Sequence, residues 1–433
     1  MMASRKGRRP AGHPAKIAAR RQREQARRTG SSSLAHARRV IASLSREAAG
    51  LESAFEAELW ASRLLGVWWP PPLGTDTDES ELGAGGPIVE GLAAAGSPGA
   101  LAALLAIGEV CDGELGLVAR READRLARVS LARPSWAAAI EHAHIVRTAA
   151  MRERIFEDGE TIFIEAGHTD CEEVHAVGVY IDHNLGGIAK DILLADSIDS
   201  VRRVIETKPP QDGEVVLEAI DEGEAREQIH RAMELTDMTL EAPVGEDYAS
   251  LRAIALRRAD ELRSPSPSAD SGDELSAGKR DQLLAEFLTS PEGGTIGPQT
   301  DQAEVVRLAI DFCAEYVDGR PLRWSPVLVE LFMADWLPRK LLAGREMFEA
   351  VPEALAAWVR HAGRVRGIPA SAIESTVDAI PRWADQMLSL AEDPGYGSPA
   401  KQLLMAAKQA GVQPDDQQAM ETFIAGWNAR SLG

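Results

Sequence analysis

Hydrophobic residues recur at helical spacing through the first third of the chain. From about Ser33 to the prolines at 70–72, apolar positions repeat every three, four or seven residues, which predicts one long amphipathic helix. The prolines are expected to end this helix, because they lack the amide hydrogen that a helix needs. Three further helices are expected at 101–110, 115–131 and 136–146.

From about residue 155 the pattern changes to short runs rich in β-branched residues. Between the second and third runs, the segment Asn184–Gly187 contains glycines that tolerate the positive φ of a hairpin turn. Helices are expected among and after the later runs, at 197–206, 223–238 and 246–262. The runs themselves predict four strands, at 161–165, 174–181, 188–194 and 214–220.

Beyond a linker rich in Ser, Pro and acids at 264–278, the pattern is helical to the end of the chain. Helices are predicted at Asp301–Val317, from Ser325 to just before Pro338, and from Pro352 onward. Proline directly after a capping residue recurs here, which favours a compact bundle of helices over a long coiled coil.

These elements predict a predominantly helical α+β protein, in which helical regions flank a small antiparallel β-meander domain and a helical bundle forms the C-terminal part. No apolar run approaches the ~18 residues of a membrane span, so no membrane contact is expected. The expected divisions are a disordered basic tail at 1–32, a helical N-terminal region at 33–150, the meander domain at 151–262, a flexible linker at 263–280 and the bundle at 281–433.

Charge is divided unevenly along the 433 residues, whose net charge is −20. Of the 47 bases and 67 acids, residues 1–40 hold twelve bases and one acid, which leaves 35 bases and 66 acids for the rest. Residues 1–40 therefore have a net charge of +11 and the rest of the chain has a net charge of −31. This division predicts that the tail attracts nucleic acid or another polyanion in a salt-dependent manner. The polyanion-binding candidates are Arg5, Lys6, Arg8, Arg9, Lys16, Arg20, Arg21, Arg23, Arg27 and Arg28.

The turn between the second and third predicted strands has many side chains of the kinds that act as ligands. With Asn184–Gly187 as a four-residue loop, Ile181 would face Lys190, and Asp182 and Asp191 would lie diagonally across the strand pair. Lys190 would then point to the face opposite Asp191. Since Asp191 interrupts an otherwise apolar strand it needs a partner, and an arginine from the C-terminal half is the natural one.

Three interpretations of this segment stay open. Asp182, His183 and Asp191 are candidate catalytic residues, because close carboxylates separate their pKa values and act as acid and base. His168, His175 and His183 are candidate metal ligands, although their spacing matches no established metal motif. In the interpretation that we favour, Asp182 only hydrogen-bonds the backbone of the turn.

A second unusual segment joins the sequence DGRPLRW at 318–324 to an apolar helix that contains Trp336. Arginine and tryptophan are residue types found in surfaces that stack bases and contact phosphates, so this segment is also a candidate for such a surface. We favour the interpretation that Trp324 and Trp336 are core residues and that Arg320 and Arg339 pair with acids close to them in sequence.

Three phrases of the chain resemble a family of bacterial proteins of similar architecture. They are VYIDHNLGGIAKD, DGRPLRWSPVLVELFMADWLPRK and AWVRHAGRVRGIP, and the resemblance covers roughly residues 90–430. The family has no assigned activity, so the resemblance implies no catalytic residues. It implies that the meander and the bundle are parts of one protein.

The sequence favours a binding or regulatory protein over an enzyme. It contains no Walker A, GxSxG, HExxH or CxxC motif, and no cofactor is expected. Three widely separated cysteines argue for a reducing cytoplasm, where the basic tail would contact nucleic acid or another polyanion. The alternatives are a metal-assisted hydrolase centred on Asp182, His183 and Asp191, and a structural module that binds a protein partner or a second copy of itself through the C-terminal bundle.

Overall fold

The described residues form two compact units. The computed structural model describes residues 35–69, 83–129, 131–207, 215–264, 275–393, 395–412 and 417–431, so the predicted tail and most of the predicted linker lie outside them. The first unit comprises Met1–Ile145, Ala166–Val174 and Asp247–Glu261. The second comprises Val146–Glu165, His175–Glu246 and Leu262–Gly433.

The predicted class, a predominantly helical α+β fold with a helical C-terminal region, is confirmed. In the part of the chain that is described, no helix has both the length and the apolar character needed to cross a bilayer. The elements in chain order are α1 (35–48), α2 (Ala54–Gly66), α3 (Gly86–Ala95), α4 (Pro98–Val110), α5 (Gly113–Arg128), β1 (His144–Glu153), β2 (Gly159–Gly167), β3 (Val174–Asp182), β4 (Ile188–Ala195), α6 (Ile198–Thr207), β5 (Val215–Ala219), α7 (Glu222–Met238), α8 (Tyr248–Glu261), α9 (Ala277–Leu288), α10 (Asp301–Tyr316), α11 (Pro326–Glu330), α12 (Leu337–Lys340), α13 (Arg345–Arg366), α14 (Ala370–Glu392), α15 (Pro399–Gln409) and α16 (Gln417–Ser431).

The first unit packs helices around the apolar helix α4. Ser97 caps α4, because its hydroxyl accepts the amide hydrogen of Ala100 at 3.1 Å, and nearly every residue of this helix is buried. Helices α2 and α8 are joined by Ser62, whose hydroxyl donates to the carbonyl of Ser250 at 2.8 Å and accepts from the amide of Ile254 at 3.1 Å. The hydroxyl therefore replaces water for two backbone groups at a buried helix contact.

Two of the predicted N-terminal helices are wrong. The long helix from Ser33 is two helices, α1 and α2, because Ser53 adopts an extended conformation and caps α2 by accepting from the amide of Glu56. The helix expected at 136–146 is a short 3-10 turn, Ser135–Ala138, followed by the start of β1. β1 begins with a run rich in β-branched residues, which pack well on a pleated sheet.

The second unit contains an antiparallel sheet with the strand order β4-β3-β2-β1-β5. The four predicted strands are confirmed as β2 to β5, and β1 adds a strand that the pattern did not predict. β5 follows α6 and returns to pair with β1, with Met151 opposite Leu217. Helix α7 packs on β4, where the hydroxyl of Thr236 donates to the carbonyl of Ala189 at 2.9 Å.

The β3–β4 pair contains a β-bulge that changes the predicted register near the turn. Val179 lies opposite Ile192 as predicted, but Ile181 lies opposite Ala189 and not opposite Lys190. Lys190 is the extra residue of the bulge, and a bulge re-aims the side chain it carries. The predicted position of Lys190 opposite Ile181 is therefore wrong, and its Nζ pairs with Asp182.

In the helical part of the second unit, Pro338 and Pro352 lie inside helices. The sequence predicted that one helix would end before Pro338 and that another would begin at Pro352. The helix from Pro326 continues past Pro338 to Lys340, because a π-helical stretch at Leu331–Trp336 moves the hydrogen bonds away from the i−4 pattern that proline disrupts. α13 begins at Arg345 and includes Pro352. Its buried face, with Trp358 fully enclosed in the core, stabilises the helix against the cost of that proline.

Candidate functional site

The turn between β3 and β4 is closed by the carboxylate of Asp182, which is buried. This carboxylate accepts hydrogen bonds from the amide of Asn184 at 3.0 Å and from Nζ of Lys190 at 2.8 Å. Gly186 and Gly187 follow with φ of 81° and 84°, the left-handed conformation that was predicted for this turn. Asp182 therefore stabilises the turn and pairs with the bulge lysine.

The other two candidate catalytic residues face different partners. Oδ1 of Asp191 accepts from the amide of Ile192 at 2.9 Å, and Gly245 lies so close that a Cβ there would be 2.5 Å from this oxygen. Nε2 of His183 lies 3.4 Å from Oε1 of Glu160 on β2. Asp191 thus packs against the loop before α8, while His183 is held by a neighbouring strand.

An arginine from the C-terminal half reaches the turn, as expected, but it does not bind Asp191. The side chain of Arg323 is fully buried, and it donates to Asp318 at 2.7 Å, to Asp158 at 3.0 Å and to Asn184 at 2.9 Å. Burial raises the pKa of Asp158, and the guanidinium charge only partly offsets that rise. One buried cation therefore joins the β1–β2 loop, the hairpin turn and the DGRPLRW segment.

A cleft of about 700 Å³ lies beside this junction, entirely within the second unit. That volume is in the range of sites that hold small molecules. Its walls come from the β1–β2 hairpin, the β3–β4 turn, helix α7, residue 275 before α9 and the end of α10. They consist of Arg152, Glu153, Glu157, Gly159, Glu160, Ile181, His183, Gly186, Gly187, Gln228, Arg231, Ala232, Leu235, Leu275, Ala314, Val317, Asp318, Gly319 and Arg320.

On the strand side of the cleft, the carboxylate of Glu160 binds the side chains of Arg152 and His183. Nε of Arg152 donates to Oε2 of Glu160 at 2.6 Å, and His183 faces the other oxygen. Burial would raise the pKa of Glu160, but the hydrogen bonds from His183 and Arg152 outweigh burial and lower it. Glu160 therefore remains an ionised carboxylate that orients the imidazole of His183.

On the opposite side, the acids are also paired. Asp318 accepts from Nε of Arg320 at 2.7 Å, and Arg320 also pairs with Glu157. Glu157 additionally accepts from Arg366 at 2.8 Å. The predicted pairing of Arg320 with a nearby acid is confirmed here, and Arg339 pairs with an acid one helical turn away.

The first unit holds a separate buried ionic cluster around Glu58, a residue that the sequence analysis did not select. His168 lies with Nε2 at 2.9 Å from Oε2 of Glu58, and its Nδ1 is 3.1 Å from the carbonyl of Ala139. Arg257 donates to Glu58 at 2.9 Å, and Arg258 binds both of its oxygens. A metal ion at Glu58 would have to compete with two fixed positive charges.

His175 and the tail cations are the remaining candidates. His175 is buried at the start of β3, in the second unit. All ten proposed polyanion-binding residues lie outside the described residues. The sequence analysis did not select the cleft residues Arg152, Glu160 and Arg231. Arg152 and Glu160 lie on consecutive strands and Arg231 lies on the later helix α7, and together they form no recognised local motif.

No protein-family model, no curated protein and no solved structure matches this chain. The resemblance based on the three phrases therefore remains an expectation, and the site has to be interpreted from its own geometry.

Replacing Arg323 should destabilise the second unit far more than replacing Arg320, although both guanidinium groups bind Asp318. Arg323→Met leaves the half-buried carboxylate of Asp158 without its cation and the buried amide oxygen of Asn184 without its donor, and it should cost about 3–5 kcal/mol of unfolding free energy. Arg320 is 42% exposed, so Arg320→Met should cost about 1 kcal/mol or less. Urea denaturation of the two variants measures the difference, and equal losses would contradict the role given to Arg323.

The stability of the first unit should fall as acid protonates Glu58. Burial alone would raise the pKa of Glu58, but the charge of Arg258 and hydrogen bonds from His168 and Arg258 lower it from 4.5 to about 2. A lowered pKa stabilises the folded state above pH 4.5, by ~3 kcal/mol for this shift, and that contribution is lost as the pH falls toward 2. Denaturation between pH 7 and 3 should show a smaller pH dependence in Glu58→Gln than in the wild type.

The exposed Glu90 on α3 provides the matched control for this acid titration. Glu90→Gln should follow the wild-type pH dependence. Parallel curves for wild type and Glu58→Gln would show that the Glu58 cluster does not link stability to pH.

Proposed function

We propose that this protein is a binding protein whose ligand, a small molecule, occupies the cleft of the second unit. The observation that carries the proposal is the convergence of five chain segments, including both unusual sequence motifs, on one cleft of about 700 Å³. Concave sites of this size with a mixture of apolar walls and a few fixed polar groups are typical of ligand sites. The hairpin turn and the DGRPLRW segment thus acquire a common role.

The way in which the cleft is held supports ligand binding. Arg323 fixes the positions of three of the contributing segments through a guanidinium group that is itself buried. Preorganised walls lower the entropy that is lost when a ligand binds. Glycines at 187 and 319 face open space, so that a ligand can approach the backbone there.

Filling the cleft should abolish binding. Ala314 is half-buried on α10 and lines the cleft, so Ala314→Trp adds an indole without removing a packed side chain. We expect the wild type to bind the fluorescent apolar probe N-phenyl-1-naphthylamine at one site, and Ala314→Trp to weaken that binding at least tenfold. Fluorescence titration measures both affinities.

The matched control places the same side chain on an exposed helical position outside the cleft. Ala285 on α9 is exposed and is not a cleft residue, so Ala285→Trp should bind the probe like the wild type. Unchanged binding by Ala314→Trp, with a melting temperature close to that of the wild type, would refute the cleft as the binding site.

A second candidate function is polyanion binding by the N-terminal segment. The sequence gives residues 1–40 a net charge of +11. Two of its arginines, Arg38 and Arg39, lie in helix α1, where both are exposed. Clustered cations that neutralise phosphates release counterions, which gives affinity without sequence preference.

Removing the tail should remove this binding. We expect the full chain to retain duplex DNA of mixed sequence at 50 mM salt, with an affinity that falls steeply as salt rises. A chain without residues 1–32 should bind at least tenfold more weakly and show a shallower slope of log K against log salt. A full-length chain with the ten tail cations changed to Gln controls for tail length, and unchanged retention in either variant would contradict the proposal.

A further inference from the structure

We infer that the ligand of the cleft is a small organic anion with an apolar body, and that Arg231 receives its acidic group. The inference rests on the proposed ligand-binding function and adds to it the chemical class of the ligand. Arg231 lies on α7, is exposed and lines the cleft.

The other arginines that line the cleft are already engaged within the protein. Arg152 is bound to Glu160, and Arg320 is bound to Asp318 and Glu157. In contrast, Arg231 has no ion-pair or hydrogen-bond partner among the residues that the structure describes. An arginine has five N–H donors in a planar fork that matches a carboxylate, a sulfonate or a phosphate.

The acids of the cleft would repel an anion if their charges were not neutralised. Glu157 binds the guanidinium groups of Arg320 and Arg366. Asp318 binds those of Arg320 and Arg323. The carboxylate of Glu153 accepts hydrogen bonds from the backbone amides of residues 155, 156 and 157 at 2.7, 2.7 and 3.0 Å. Their negative charge is therefore locally compensated, and the charge of Arg231 is not.

Apolar side chains line the cleft around Arg231. Ala232 and Leu235 share its helix and line the cleft, and Leu235 lies one helical turn from Arg231. Ile181, Leu275 and Val317 supply further apolar wall. A ligand that fills this space needs a hydrocarbon or aromatic body, while its acidic group meets Arg231, the one arginine in the described lining of the cleft that has no partner.

Two fluorescent probes with the same aromatic body separate the two parts of this inference. 8-Anilinonaphthalene-1-sulfonate carries an anionic group, and N-phenyl-1-naphthylamine is the neutral counterpart. We expect Arg231→Gln to raise the Kd of the sulfonate about tenfold, as for the loss of one charge-assisted hydrogen bond, and to leave the Kd of the neutral probe within twofold. Arg231→Lys should keep most of the sulfonate affinity because it retains the charge.

Arg382 provides the matched control, because it is an exposed helical arginine that does not line the cleft and has no partner among the described residues. Arg382→Gln should bind both probes like the wild type. If Arg231→Gln changes neither probe while Ala314→Trp weakens both, the cleft binds ligands but the anion class is wrong. If Ala314→Trp changes neither probe, the binding function and the ligand class both fail.

Discussion

The second unit depends on the buried guanidinium of Arg323. A charge without solvent access has to be compensated by protein atoms, and here the acceptors are Asp318, Asp158 and Asn184. Each acceptor either lines the cleft or is next in sequence to a residue that does. The requirement to satisfy one cation therefore fixes the positions of three loops, and those loops form a large part of the cleft wall.

Local patterns predicted the elements but not the interactions that join them. Four strands and most helices follow from apolar spacing and capping residues, which act over fewer than ten residues. Arg323 is 165 residues from Asp158 and 139 from Asn184, so no spacing rule connects them. The bulge that turns Lys190 toward Asp182 was also missed, because a single extra residue leaves the alternating pattern of a strand almost unchanged.

Both units contain a buried ionic cluster, and in each cluster one buried charge is surrounded by groups of opposite charge or by polar groups. In the first unit Glu58 is enclosed by Arg257, Arg258 and His168, whereas in the second unit Arg323 is enclosed by carboxylate and amide oxygens. Such clusters add little net stability compared with apolar packing, but the loss of one member is costly. They consequently penalise alternative arrangements of the helices and loops that they join.

The partners of the three candidate catalytic residues favour ligand binding over the hydrolase alternative. Of Asp182, His183 and Asp191, only His183 lines the cleft. Asp182 is engaged by Lys190 and the turn backbone, and Asp191 by its own strand. Glu160, whose pKa is lowered, accepts from His183 and Arg152 and so suits the role of an orienting carboxylate better than that of an acid that donates protons near neutral pH. Acid–base chemistry in this cleft would therefore rest on one imidazole, whereas binding draws on the whole wall, and this is why we place binding first.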